Sequence, residues 1–196
     1  MSDFPFFTSV DFRLNSPLAP WSNVASYVTP ITGRINVMLD EDDLGGHHAG
    51  YIKVLRINAT QAYNEQQSLL EICDAHSAWL VSAYIAVFEQ GFDTKPELDI
   101  EPTCNDILVL WGFKIKPEFR DTDALVRAFE TAINVFGPQA LVIAARNEGK
   151  CRFKGLDLTV NEWRKLGFIR IARSQFMFRD NCCTNIYERN PLQDEQ

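Results

Sequence analysis

The fold is decided by residues 106–135, DILVLWGFKIKPEFRDTDALVRAFETAINV. The apolar run at 106–116 has the length and composition of a buried strand. Apolar residues then recur at helical spacing, which predicts a helix over 122–136 that Gly137 and Pro138 end. A Pro-x-x-Arg turn joins strand to helix. A helix that begins directly after a strand offers backbone N–H groups that can hold a phosphate.

Composition is that of one globular domain. The chain has 196 residues, 46% of them hydrophobic, and a net charge of −7. This charge argues against a protein that simply coats nucleic acid. Residues 146–179 nevertheless carry nine basic and three acidic residues, a local charge of +6 that leaves −13 elsewhere. That asymmetry indicates an anionic ligand, a partner surface or a solvated face, and nucleic-acid contact is a further alternative.

Cysteine usage and the N-terminus bear on location. The five cysteines are odd in number and form no C-x-x-C pair. We interpret them as reduced thiols. No apolar run has the roughly 18 residues of a membrane span, and residues 1–14 lack the basic region followed by an apolar stretch that is typical of a secretory signal. These observations predict a cytoplasmic protein that does not enter the membrane.

The chain divides into three parts. Residues 1–30 are rich in proline and aromatic residues and read as an N-terminal extension or contact arm. We expect them to dock on their own domain or on a neighbour, through a protein partner or a homo-oligomer. Residues 31–188 form the folded domain, and 189–196 form a C-terminal tail.

The remaining pattern alternates strands and helices, which predicts a mixed α/β (α+β) sheet covered by helices. The segment AWLVSAYIAVF, residues 78–88, is compatible with a buried helix or a buried strand, and its β-branched and aromatic content, with apolar residues on both faces, favours the strand. The loop containing His47 and His48 lacks metal-ligand spacing, so we expect no metal site. The other elements are strands at 34–39, 51–57, 140–145, 168–173 and 175–180, a helix at 61–75 capped by Thr60, and a helix from Asp157 to Lys165.

The order strand, Pro-x-x-Arg turn, helix, strand, helix, Leu-Gly-Phe and strand pair resembles the GNAT N-acetyltransferase superfamily over about residues 50–180. IKPEFR at 115–120 and WRKLGF at 163–168 carry the resemblance. It implies a mixed, largely antiparallel central sheet flanked by helices. It also implies acetyl-coenzyme A or another acyl-coenzyme A as cofactor, with nucleic acid not expected as a partner.

The family binds the cofactor pyrophosphate on a loop of pattern Arg/Gln-x-x-Gly-x-Gly/Ala. Arg120 matches its first position, but Asp123 and Leu125 stand at the glycine and the Gly/Ala positions. Glycine lets the backbone approach phosphate closely, whereas a carboxylate repels it. The alternative is that Asp121, Thr122 and Asp123 only cap the helix and favour its dipole. The resemblance assigns cofactor binding to Ile115, Arg120, Asp121, Thr122, Asp123, Ala124, Leu125 and Arg152.

The residues at the family's catalytic positions match its pattern less well than the strand–turn–helix motif does. The family's Tyr acid aligns with Trp163, whose indole N–H is a donor but not a usable acid. Glu118, in the turn, is the candidate base and would activate an amine through water. Two functions follow from the resemblance. One is an acyl-coenzyme A-dependent N-acyltransferase acting on an amine. The other is a non-catalytic GNAT-fold component of a larger assembly, for example a phage particle.

Overall fold

The computed structural model describes residues 7–14, 24–38, 46–100, 106–120, 122–147 and 155–181. It is a mixed α/β fold with one seven-stranded, mostly antiparallel sheet and a separate two-stranded hairpin. The strands are β1 Phe7–Leu14, β2 Val28–Met38, β3 His47–Ile57, β4 Phe88–Gln90, β5 Asp93–Thr94, β6 Ile107–Ile115, β7 Leu141–Ala145, β8 Ile169–Arg170 and β9 Phe176–Asp180. The helices are α1 Ala59–Asn64, α2 Leu69–His76, α3 Ala78–Val87, α4 Ala124–Phe136 and α5 Val160–Lys165.

Strand order in the large sheet is β1-β2-β3-β6-β7-β9-β8. Neighbouring strands pair antiparallel except β6 and β7, which are parallel. A parallel pair needs a long crossover, and α4 supplies it. The Pro117–Phe119 turn lies between β6 and α4 and is a single 3-10 turn.

Both faces of the sheet centre are covered. Ile107 and Val109 belong to the core shared with α1, α2 and α3, whereas Leu108 and Leu110 belong to the core shared with α4 and α5. Side chains alternate along a strand, so a strand buried on both faces reads as a continuous apolar run. Helix α4 contributes three large, fully buried side chains at a spacing of four, those of Leu125, Phe129 and Ile133. Burying each such side chain stabilises the fold by about 1.5–3 kcal/mol.

The strand at 106–116, the helix at 122–136 and the strand at 140–145 are confirmed as β6, α4 and β7. The strand favoured at 78–88 is wrong, because residues 78–87 form α3, the helix of the other interpretation, and Phe88 begins β4. Its buried positions, including Leu80, Ala83, Tyr84 and Val87, follow helical spacing. Ser77 caps this helix by accepting from Leu80 N at 3.3 Å. Apolar residues outside the buried stripe, such as the exposed Ile85, concealed the period.

Two helix starts also differ from expectation. The helix predicted at 61–75 is two helices, separated near Gln66, whose φ of 55° breaks the helical path. Asn58, not Thr60, caps α1. The last helix begins after Thr159 rather than near Asp157, because Thr159 and Glu162 form a reciprocal capping box.

Within the predicted N-terminal extension, residues 7–14 and 24–30 are described. Phe7–Leu14 form β1, which pairs with β2 from Phe7↔Met38 to Leu14↔Ile31. This part therefore docks on its own domain. The Phe12 ring meets Phe136 of α4 edge to face, with centroids 4.9 Å apart. The tail at 189–196 lies outside the described residues. None of the described helices combines the length and the apolar character needed to span a bilayer.

Candidate ligand cleft where two strands part

The site lies where β6 leaves β7. The two strands pair from Ile107↔Leu141 to Leu110↔Ala144, and β6 then continues to Ile115 with β3 as its only partner among the described strands. At the same point β6 has a bulge. Val54 of β3 pairs with Leu110 and Lys53 pairs with Gly112, so Trp111 is the extra residue. Bulges re-aim side chains and are frequent beside binding sites.

The edge of β7 that β6 leaves is occupied by another segment. Leu156 N donates to Ala145 O at 2.6 Å, and Asn147 N donates to Leu156 O at 3.1 Å. Gly155 makes this approach feasible, because a β-carbon there would overlap the carbonyl group of Arg146. The gap therefore has β6 on one side and the 155–157 segment on the other.

The gap between β6 and the 155–157 segment is a cavity of about 880 Å³. Such a volume is in the range of small-molecule and cofactor sites. Among the described residues its walls combine aromatic rings and cations with one carboxylate, that of Asp157. Trp79 and Trp111 meet edge to face, with ring centroids 5.1 Å apart. The lining residues are Tyr51, Lys53, Trp79, Trp111, Gly112, Phe113, Lys114, Ile115, Arg120, Asn147, Gly155, Leu156 and Asp157.

The backbone of β6 beyond Leu110 lines the cleft. Residues 112–115 pair with β3 on one side, and no described strand pairs with them on the other. Backbone N–H groups in such a position need a partner. These N–H groups can donate hydrogen bonds to a ligand that carries carbonyl or amide groups. They can also stabilise negative charge on a carbonyl oxygen.

The predicted phosphate-binding turn is tied to α5 instead. Arg120 Nη1 donates to Glu162 Oε1 at 2.6 Å, and Arg120 Nη2 donates to Asp157 O at 2.8 Å. Lys165 Nζ donates to Asp123 Oδ1 at 2.7 Å. Arg120, expected to attract phosphate, and Asp123, expected to repel it, are therefore each already paired with a charged residue of α5.

Of the three residues expected to cap α4, the structure describes Thr122 and Asp123, and Thr122 makes the capping hydrogen bond. Asp123 occupies the N-cap position but accepts no capping hydrogen bond. The Thr122 hydroxyl accepts from Ala124 N at 3.3 Å and donates to Phe119 O at 2.7 Å. Capping therefore comes from Thr122, while the Asp123 carboxylate turns to Lys165.

The predicted site residues separate into three groups. Ile115 and Arg120 line the cavity, whereas Thr122, Asp123, Ala124 and Leu125 do not. Glu118 is exposed on the turn and is not a lining residue, so its role as base stays a prediction. Asp121 and Arg152 lie outside the described residues.

Trp163, which stands at the position of the family's Tyr acid, is 3% exposed and packs against Phe168 with ring centroids 5.2 Å apart. Its Nε1 has no hydrogen-bond partner in the described part of the chain. Its surroundings are those of a core residue.

Sequence reasoning missed the aromatic wall. Tyr51 and Trp79 come from segments far from the motif, and Trp79 lies on the helix that was interpreted as a strand. The Trp111-Gly112 pair inside a strand was the available signal, because glycine there often marks a bulge. His76 meets the edge of Trp111 with centroids 6.0 Å apart, and burial lowers the pKa of His76.

Within the described ranges no three His, Cys, Asp or Glu side chains converge on a point that would hold a metal ion. The chain matches no protein-family model, no curated protein and no solved structure.

Proposed function

We propose that this chain is a divergent GNAT-fold acyltransferase that binds an acyl-coenzyme A thioester in the cleft and transfers its acyl group to an amine. The observation that carries the proposal is the coincidence, at Trp111, of a bulge and the end of β6–β7 pairing, beside a cavity of about 880 Å³. The order β6, turn, α4, β7, α5 and the β8–β9 pair supports it, because the resemblance rests on the same order.

In the proposed reaction the thioester lies along β6 with its carbonyl oxygen on a backbone N–H of residues 111–115. The amine nitrogen attacks the carbonyl carbon, the C–N bond forms, and the C–S bond breaks. The attacking nitrogen loses a proton to water and becomes the nitrogen of a neutral amide, and coenzyme A leaves as a thiolate that takes up a proton. Holding both reactants together supplies much of the rate enhancement. The aromatic walls exclude bulk water from the thioester.

In this proposal the diphosphate part of coenzyme A binds weakly. The Asp123 carboxylate opposes a diphosphate at the start of α4, and Lys165 offsets that charge only in part because both side chains are close to half exposed. The cations that line the cleft, Lys53, Lys114 and Arg120, supply the attraction. We expect Asp123→Gly to strengthen coenzyme A binding about tenfold, since it removes a charge from the phosphate position and restores close backbone approach.

Titration of the full chain with acetyl-coenzyme A and coenzyme A, followed by thermal unfolding, tests binding. Saturable stabilisation is expected for the wild type. Gly112→Phe should abolish it. Gly112 lines the cavity, and a β-carbon there would meet no atom within 4 Å, so the ring fills the cleft without displacing the protein. Gly112→Ala is the matched control that should still bind. Absence of any shift in the wild type at millimolar ligand would overturn the proposal.

Release of the coenzyme A thiol in the presence of amines tests catalysis. The acidic remainder of the chain favours a cationic acceptor, so a polyamine and a lysine-containing peptide are the first substrates. Glu118→Gln tests the predicted base. Activity that is unchanged in this variant over the whole pH profile would remove Glu118 from the mechanism.

A second function is favoured by one observation. Arg120–Glu162 and Asp123–Lys165 give the residues of the phosphate turn a structural use, as expected of a non-catalytic GNAT-fold component of a larger assembly. In that case neither the wild type nor Asp123→Gly would bind coenzyme A. Binding that is present only in Asp123→Gly would indicate an ancestral site closed by its acidic residue.

A further inference from the structure

Strand β1 is one edge of the seven-stranded sheet. It pairs with β2 on one side, and no described strand pairs with its other side. An edge strand presents backbone N–H and C=O groups on which another chain can add. At the opposite edge, β8 spans only Ile169–Arg170 and is too short to act in this way.

The side chains of β1 separate by face. Val10 and Phe12 pack against the core beneath α4, and Leu14, on the same face by alternation, is 57% exposed. Asp11 and Arg13 are exposed and lie on the other face. An acid and a base therefore flank Phe12 symmetrically, one residue on each side of it.

We propose that β1 pairs antiparallel with β1 of a second copy of this chain, about a two-fold axis at Phe12, so that two sheets join into one. In this register Asp11 lies opposite the partner's Arg13, and Arg13 lies opposite the partner's Asp11. On the other face Val10 lies opposite the partner's Leu14, which covers the exposed leucine. Opposite charges and apolar pairs facing each other across strands are stabilising.

The charges of Asp11 and Arg13 favour a second copy of this chain as the partner of β1. They also favour one register of the pairing. Moving the axis to Asp11 or to Arg13 would place like charges directly opposite each other, which is destabilising. Arg13 has no ion pair among the described residues, and Asp11 accepts one hydrogen bond, from Asn36 Nδ2 at 2.8 Å. A carboxylate has further acceptor sites, so Asp11 keeps the capacity to pair with arginine. Because this surface complements itself, a second copy fits it without any other partner.

Sedimentation velocity of the full chain over a range of micromolar concentrations tests the proposal. The wild type should dimerise. Asp11→Arg and Arg13→Asp should each raise the dimer dissociation constant about tenfold or more, because each turns two attractive pairs into two repulsive ones. The double variant Asp11→Arg/Arg13→Asp restores opposite charges and should dimerise like the wild type. Arg173→Asp makes the same charge change as Arg13→Asp, but near the opposite edge of the sheet. It should leave the dimer dissociation constant unchanged.

Circular dichroism of each variant checks that it is folded, and both substituted side chains are exposed, so folding should be retained. A monomeric wild type at tens of micromolar overturns the proposal. A dimer that both single variants leave intact, or one that the double variant fails to restore, overturns the pairing through β1.

Discussion

Arg120 and Glu162 connect the turn before α4 to the first turn of α5, with Nη1 and Oε1 2.6 Å apart. One helical turn further along each segment, Asp123 and Lys165 form a second pair at 2.7 Å with the signs reversed. Glu162 also accepts from Thr159 N at 2.6 Å and so completes the capping box of α5. The Glu162 carboxylate therefore both caps α5 and links this helix to the β6–α4 junction.

Removal of either partner of the Arg120–Glu162 pair should destabilise the fold. The Glu162 side chain is 14% exposed and that of Arg120 30%. We expect Glu162→Ala to cost about 1.5–3 kcal/mol, since a charge-assisted hydrogen bond and a helix cap are lost together. A double-mutant cycle with Arg120→Ala, followed by urea unfolding, should give a coupling energy of about 1 kcal/mol. Additive single effects would contradict a direct interaction.

The Asp123–Lys165 pair supplies the matched control. Its side chains are 45% and 44% exposed, so its coupling energy should not exceed about 0.5 kcal/mol. It should also decrease in high salt, whereas the more buried pair should respond less. Equal coupling energies for the two pairs would show that burial does not distinguish them.

Acid should weaken the fold through Glu162. Burial acts to raise the pKa of the Glu162 carboxyl, but hydrogen bonds from Arg120 and Thr159 outweigh it and leave the pKa lowered. A group whose pKa is lower in the folded state contributes stability above its unfolded pKa of about 4.3 and loses that contribution as pH falls through the folded value. Urea unfolding between pH 7 and pH 2.5 should show a smaller loss of stability in Glu162→Gln than in the wild type. Identical pH profiles would contradict this assignment.

Replacing either of two glycines on paired strands by alanine should affect stability very differently. A β-carbon at Gly50 would overlap the carbonyl oxygen of Lys114, which belongs to the β6 backbone, whereas one at Gly112 would meet nothing within 4 Å. Gly50→Ala should therefore lower the free energy of unfolding by about 1–3 kcal/mol, because the strands must move apart. Gly112→Ala should change it by less than about 0.5 kcal/mol. A similar effect in both variants, measured by urea unfolding, would contradict the close approach of β3 and β6.

The thiol of Cys73 should be inert in the native protein. Cys73 is buried in α2, and burial raises its pKa to about 12. The thiolate is the reactive form, so little of it is present at pH 8. Alkylation followed by mass spectrometry should find the Cys73 peptide unmodified in buffer and modified in urea. Rapid native modification would show that α2 opens.

The motif region was predictable because its signals are local. Strand β6, helix α4 and strand β7 follow from apolar runs, helical spacing and the Gly137-Pro138 stop, all within about 40 residues of sequence. Ile115 and Arg120 were placed at the site by the same segment. Helix α3 was not predictable in this way, because its apolar residues surround the helix and the period is lost.

The sequence by itself determined the strand–turn–helix–strand unit and the charged residues at its turn, Arg120 and Asp123. Only the tertiary structure decided what those residues do, because the partner of Arg120 is 42 residues away in the chain and that of Asp123 equally distant. It also brought Tyr51, Trp79 and Trp111 to one cavity from three separate elements. Such contacts depend on sheet order and register, which no local pattern specifies, because side chains from distant segments meet only when the strands have paired.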